Sequence, residues 1–113
     1  MAGFSKKKYF KLAKGYYGRA KNCFRITVPK VEKSLARAYV GRKLRPRILR
    51  RNWIMTINAA TRDLNLPYSL YINSLNNSNI LLNRKILADL AMNEPFSFKA
   101  VFDELMVQTG RLP

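Results

Sequence analysis

Apolar positions recur at helical spacing through most of the chain. Trp53, Ile57, Ala60 and Leu64 follow an i, i+4, i+7, i+11 pattern and define one apolar helix face. Just upstream, Lys43, Arg47, Arg50 and Arg51 fall at i, i+4, i+7 and i+8 and make a cationic face by the same arithmetic. The stretch Arg42–Arg62 therefore reads as one helix, basic in its first half and core-forming in its second. It is expected to persist from about Leu44 to Asp63, with a kink or short irregular segment near Gly41–Arg45. The reason is local. Pro46 lacks a donor and crowds the carbonyl of Arg42 at a cost of roughly 3 kcal/mol, and Gly41 adds about 1 kcal/mol relative to alanine.

The neighbouring segments carry their own signals. Val28, Val31, Leu35 and Ala38 or Tyr39 predict a helix, placed from near Pro29 because proline suits a first turn. Asn65-Leu66-Pro67 closes the long helix and opens a short one, Tyr68 to Leu75. Asn76-Asn77-Ser78-Asn79 has the composition of a turn. Asn83 is placed to cap a helix from Arg84 to Met92, with Ile86, Leu87 and Leu90 apolar. Asn93-Glu94-Pro95 starts a last helix carrying Phe98, Val101, Phe102 and Leu105, which Gly110 ends. The expected fold is all-α. An extended basic N-terminal arm and long kinked helix (residues 1–52) lead into a compact C-terminal bundle (residues 53–113). About four helices should pack there around Trp53, Ile57, Leu75, Leu87 and Phe102.

Charge sharpens this division. Residues 1–52 hold 17 lysines and arginines against one acid, Glu32, whereas residues 53–113 hold five of each sign. The whole excess of the net charge of +16 thus lies in the first half. Such asymmetry implies a polyanionic partner, nucleic acid before an anionic membrane surface. Residues 1–52 should not be fully ordered alone, because their charges repel one another. With 113 residues the chain has room for one small domain. No apolar run approaches the roughly 20 residues that span a bilayer, and no secretory leader pattern stands at the amino terminus.

The chain has one cysteine, Cys23, and no histidine. That excludes an intramolecular disulfide, a zinc site of Cys/His type and a histidine-assisted nucleophile. The carboxylates form no suggestive pair, so the chain reads as no enzyme, with no metal, no cofactor and no small-molecule substrate. Near the start, Lys6, Lys7, Lys8, Lys11 and Lys14 alternate with Phe4, Tyr9, Phe10 and Leu12, a composition an organellar transit peptide shares. Lysine in place of arginine argues against that. So does Lys14-Gly15-Tyr16-Tyr17-Gly18-Arg19, where glycines set two aromatics between cations. Tyrosine rings stack on unpaired bases and the cations hold phosphates, although a tight turn with packed tyrosines reads the same way.

Four ordered motifs carry a resemblance. They are Lys14-Gly15-Tyr16-Tyr17-Gly18-Arg19, Trp53-Ile54-x-x-Ile57-Asn58-Ala59-Ala60-x-Arg62, Tyr68-Ser69-x-x-Ile72-Asn73-x-Leu75 and Asn83-Arg84-Lys85-Ile86-Leu87-Ala88-Asp89-Leu90-Ala91. Together they resemble the ribosomal protein L20 family of the bacterial-type large subunit, over roughly Lys7 to Leu105. The resemblance implies a basic arm threaded into large-subunit rRNA, a helical C-terminal domain at the surface and a structural role in early assembly. Neighbouring large-subunit ribosomal proteins are implied partners. The chain departs from the family in a shorter start before Lys7, and at Gly41, Pro46 and Asn52. Arg19-x-Lys21-Asn22 and Glu94-Pro95-x-x-Phe98-Lys99-Ala100 resemble mitochondrial and alphaproteobacterial members, which implies the mitochondrial matrix. A plastid or the bacterial cytoplasm is the alternative.

Charge and resemblance together nominate Lys11, Lys14, Arg19, Lys21, Arg25, Arg42, Lys43, Arg45, Arg47, Arg50 and Arg51 as RNA-backbone contacts, with Tyr16 and Tyr17 as stacking residues. The Arg42–Arg51 group is the expected clamp, since each guanidinium can bridge phosphates. Arg62, Arg84 and Lys85 read equally as rRNA contacts or as solvated helix charges. The rival function is a free regulator binding an mRNA, as a translational repressor would, or a DNA site. A membrane partner is disfavoured because Arg45–Arg51 is too polar for an amphipathic membrane helix.

Overall fold

The computed structural model describes residues 5–110, and Phe4 and Arg111 lie outside them. Among the described residues the elements are all helical: α1 (Lys6–Leu12), a 3₁₀ turn (Gly18–Lys21), α2 (Phe24–Asp63), α3 (Tyr68–Asn77), α4 (Arg84–Asn93) and α5 (Pro95–Thr109). The chain divides into two compact units, Met1–Arg45 and Pro46–Pro113.

In the first unit, Ser5 caps α1 by accepting a hydrogen bond from the Lys8 amide at 3.4 Å. The periodicity along residues 6–12 does not predict this helix, which has four lysines in seven residues. Tertiary contact accounts for it: Tyr9 and Ala13, one turn apart, are buried with Val31, and Tyr16, Phe24 and Val28 pack around them. The Phe24 ring meets Tyr9 edge-on at 5.9 Å, and the Lys6 ammonium lies 5.1 Å from its centroid. The Tyr9 hydroxyl donates to Glu32 at 3.2 Å, so the one acid of the arm is engaged by its own core. Burial and this carboxylate raise the Tyr9 phenol above its ordinary value.

Gly15 (φ +87°) and Gly18 (φ +63°) turn the chain back toward α2 through left-handed backbone. Thr27 then fixes the turn. Its buried hydroxyl lies 2.7 Å from the Ala20 carbonyl and 2.8 Å from that of Cys23. The start of α2 near Pro29 is corrected to Phe24, with the Cys23 carbonyl accepting from the Ile26 and Thr27 amides. Proline five residues into a helix removes only the bond to the Arg25 carbonyl, and the packing of Phe24 and Val28 outweighs that loss. The irregular segment expected at Gly41–Arg45 is likewise absent, for α2 is helical throughout. A break there would orphan several donors and acceptors on each side, more than one proline and one glycine cost.

In the second unit, the last turns of α2 pack with α3, α4 and α5 around Ile57, Tyr71, Leu75, Leu87, Phe98, Phe102 and Leu105. Trp53 is partly buried against this core. The Tyr71 ring stacks on Phe102 at 6.0 Å and 18° and meets Phe98 at 5.9 Å. Two helices end alike. At the end of α2, Asn65 (φ 63°) is left-handed, its amide bonds to Arg62 and that of Leu66 to Thr61. At the end of α3, Asn79 (φ 55°) repeats the pattern, with Asn79 bonded to Asn76 and Ile80 to Leu75. Both are Schellman ends with asparagine in the usual place of glycine. Asn76 and Asn77 therefore belong to α3, and the expected four-residue turn shortens to Ser78–Asn79. Asn83 caps α4 by accepting from the Ile86 amide at 2.9 Å, and left-handed Gly110 ends α5.

Candidate nucleic-acid interface

Every residue from Glu32 to Asn52 is exposed, although all of them are helical. A helix normally buries a stripe of its surface against its own chain, and that burial supplies most of its stability. Here the stripe is bare. Leu35, Tyr39, Val40, Leu44, Ile48 and Leu49 all stand open to solvent. Between them lie Lys33, Arg37, Arg42, Lys43, Arg45, Arg47, Arg50 and Arg51, with Glu32 as the one acid. Lys43, Arg47, Arg50 and Arg51 keep the helical register of one face, while Arg42 and Arg45 leave it because successive residues turn by about 100°. Cations thus point several ways around the helix. The Lys43 ammonium also sits 5.3 Å above the Tyr39 ring, which orients it one turn back along the helix.

The other nominated cations, Lys11, Lys14, Arg19, Lys21 and Arg25, are exposed as well. Lys11 is in the last turn of α1, Arg19 and Lys21 are on the 3₁₀ turn, and Arg25 is in the first turn of α2. One carboxylate cannot neutralise this many cations, so the compensating charge must come from outside the chain.

The two tyrosines part company. Tyr17, between the left-handed glycine at 18 and its neighbour Tyr16, is 98% exposed, whereas Tyr16 is half-buried on the Tyr9, Ala13 and Val31 cluster. Tyr16 takes the packing role that the sequence left open, and Tyr17 presents a free ring. Beside it runs a groove of about 430 Å³ bounded by Tyr16, Tyr17, Arg19, Ile26 and Lys30. Sequence reasoning missed Ile26, Thr27 and Lys30. The i, i+4 spacing of Ile26 and Lys30 could have found one edge of the groove, but nothing in the sequence ties that edge to Tyr17.

Downstream of Asn52, by contrast, Arg62, Arg84 and Lys99 are engaged within the chain. The Arg84 guanidinium donates to the Tyr68 hydroxyl at 2.7 Å, and Arg62 donates to Asn58 on its own helix at 2.9 Å. Lys99 pairs with Asp103 at 3.1 Å. Among the described residues no cluster of His, Cys, Asp or Glu side chains could hold a metal. No helix among them is long and apolar enough to cross a membrane.

Comparison with known proteins adds sequence likeness to this geometry. The model of the family described as Ribosomal protein L20 matches residues 2–101. A Cytophaga hutchinsonii protein named large ribosomal subunit protein bL20 is 51% identical over 100 residues, covering 88% of this chain and 87% of its own length. Its namesake from Ehrlichia canis is 54% identical over 97 residues, covering 86% and 78%. That from Orientia tsutsugamushi is 53% identical over 92 residues, covering 81% and 76%.

Proposed function

The chain belongs to the ribosomal protein L20 family, and from that premise we propose that it binds large-subunit rRNA through residues 1–52 and supports early assembly of the subunit. It is a structural, non-catalytic protein of the large ribosomal subunit. The carrying observation is the helix from Glu32 to Asn52, exposed on every side and bearing eight cations against one acid. Such a helix gains little from its own chain. Phosphates on several sides would neutralise it and give its apolar residues a surface to cover. Residues 53–113 are then the compact domain at the surface of the subunit.

The proposed setting is a mitochondrial ribosome. Arg19-x-Lys21-Asn22 and Glu94-Pro95 with Phe98-Lys99-Ala100 support it, while the bacterial relatives fit the bacterial cytoplasm equally. Fractionation of source cells, followed by probing organelle and cytosol for the chain, separates the two.

Salt titration tests the binding mode. Neutralising about eight phosphates gives a log–log slope of affinity against salt on the order of −6. Purified protein should therefore lose large-subunit rRNA steeply between low and moderate salt and co-sediment with the large subunit. A near-flat dependence would transfer recognition to the neutral domain and overturn the proposal.

A further inference from the structure

We infer that the groove beside Tyr17 receives a single unpaired nucleotide of the rRNA, its base stacked on the Tyr17 ring and its flanking phosphates held by Arg19 and Lys30. The inference rests on the reading of residues 1–52 as the rRNA-binding arm and gives that arm a base pocket in addition to its phosphate contacts.

Three features of the groove match a nucleotide. Its wall is the flat face of an almost fully exposed phenol, Tyr17, which has no covering partner within the described chain. Its floor includes Ile26, exposed on the first turn of α2, an apolar surface suited to a base rather than to bulk water. Its rim carries Arg19 and Lys30 and no acid, so the charge complements phosphate on both sides of an inserted base. An acidic peptide could satisfy the rim but would leave the ring face unused.

The groove is also built firmly enough to hold its shape. The Thr27 hydroxyl bonds to the carbonyl of Ala20, a residue of the groove lining, which ties the 3₁₀ turn to α2. The Cys23 amide bonds to the Arg19 carbonyl at 2.8 Å and closes the same turn. Tyr16 is anchored in the arm's small core, so its neighbour Tyr17 is directed outward from a fixed point. Gly18, which lines the groove, has no neighbouring atom within 4 Å of where a Cβ would stand, so that side of the approach is open.

The experiment uses the full chain and large-subunit rRNA, with three variants and one photocrosslink. Tyr17→Ala should weaken binding about tenfold or more, in the range that loss of one base–aromatic stack gives, with the salt slope unchanged. Tyr17→Phe should bind within about twofold of the parent, because stacking needs the ring and not the hydroxyl. Ile26→Trp, which fills the exposed groove floor, should weaken binding as Tyr17→Ala does. A benzophenone amino acid at position 17 should crosslink to one unpaired rRNA position. If Tyr17→Ala or Ile26→Trp binds like the parent while the parent keeps its steep salt slope, the nucleotide site is overturned and the arm's phosphate binding stands. A crosslink to protein in the assembled subunit, rather than to RNA, overturns it too. A parent chain with flat salt dependence overturns the underlying proposal instead.

Discussion

At the residue scale, the core of the second unit carries an unsatisfied group. Tyr71 is completely buried between Phe98 and Phe102, and its hydroxyl has no hydrogen-bond partner among the described residues. Leaving a donor unpaired in an apolar core costs roughly 1–3 kcal/mol of desolvation. Tyr71→Phe is therefore expected to be neutral or to stabilise the chain by about 1 kcal/mol, read from urea unfolding at neutral pH. Alkaline pH gives a second readout. Burial pushes the Tyr71 phenol up to about 12 from 10.0, so the folded state holds this proton more tightly than the unfolded chain does. Its contribution is complete below pH 10 and is lost as pH rises toward about 12. The parent should lose stability relative to Tyr71→Phe across that window. Parallel pH profiles for the two proteins would show that the phenol is not desolvated as described.

At the scale of elements, helix ends and helix interiors were unequally legible in the sequence. Asn83 was readable as a cap because its side chain acts on the next turn, a purely local event. Asn65 and Asn79 were readable only as loop residues, since a Schellman end depends on a 6→1 bond that composition does not announce. Asparagine tolerates left-handed backbone less well than glycine, while alanine adds steric strain with no compensating side-chain bond. Asn65→Gly should leave stability unchanged or slightly higher, and Asn65→Ala should lower it by about 1 kcal/mol in thermal or urea unfolding. Equal stability of the two variants would contradict the left-handed geometry at Asn65.

α2 teaches the converse lesson. Pro29 reads locally as a helix start and the Gly41–Pro46 stretch as an interruption, and the helix runs through both. Local rules price one residue at a time, whereas a break forfeits hydrogen bonds on each side of it. The proline remains a cost. Pro46→Lys should raise helicity by circular dichroism in the free chain, by an amount consistent with removing up to about 3 kcal/mol of strain, and leave rRNA contacts in place. Unchanged helicity would mean the flanking turns already absorb the proline fully. The register of Leu35 and Tyr39 predicts the helix that forms but leaves open what its apolar face meets. The spacing that marks a core marks just as well a surface awaiting a partner, and only the structure shows that none of the other described residues covers them. The second unit was legible because Trp53, Ile57, Leu75, Leu87 and Phe102 meet one another. α1 was not, because KKKYFKL becomes a helix only where Tyr9 and Ala13 find Val31.

At the scale of the whole molecule, burial and charge are distributed oppositely. Among the described residues, the unit Pro46–Pro113 buries nine hydrophobic residues in one cluster, including Tyr71, Phe98 and Phe102. The unit Met1–Arg45 gathers, among the described residues, Tyr9, Ala13 and Val31 in its cluster, against a concentration of like charge. Backbone ordering costs about 1–2 kcal/mol per residue, and three small contacts offset that over few residues. Repulsion among the cations works against the same segment, and phosphates would reverse its sign. The free chain should therefore open readily upstream of Pro46 and stay closed downstream. Limited trypsin digestion of the free protein is expected to leave a resistant fragment beginning near Arg47, and large-subunit rRNA should protect the arm from the same digestion. Hydrogen exchange should agree, with amides of residues 32–45 exchanging fast in the free chain and slowly in the complex. Those two measurements separate a helix that is stable by itself from one completed by its partner. An arm that survives trypsin without RNA, with slow amides throughout α2, would show that the exposed helix needs no polyanion to hold it, and the division of labour between arm and domain would fail.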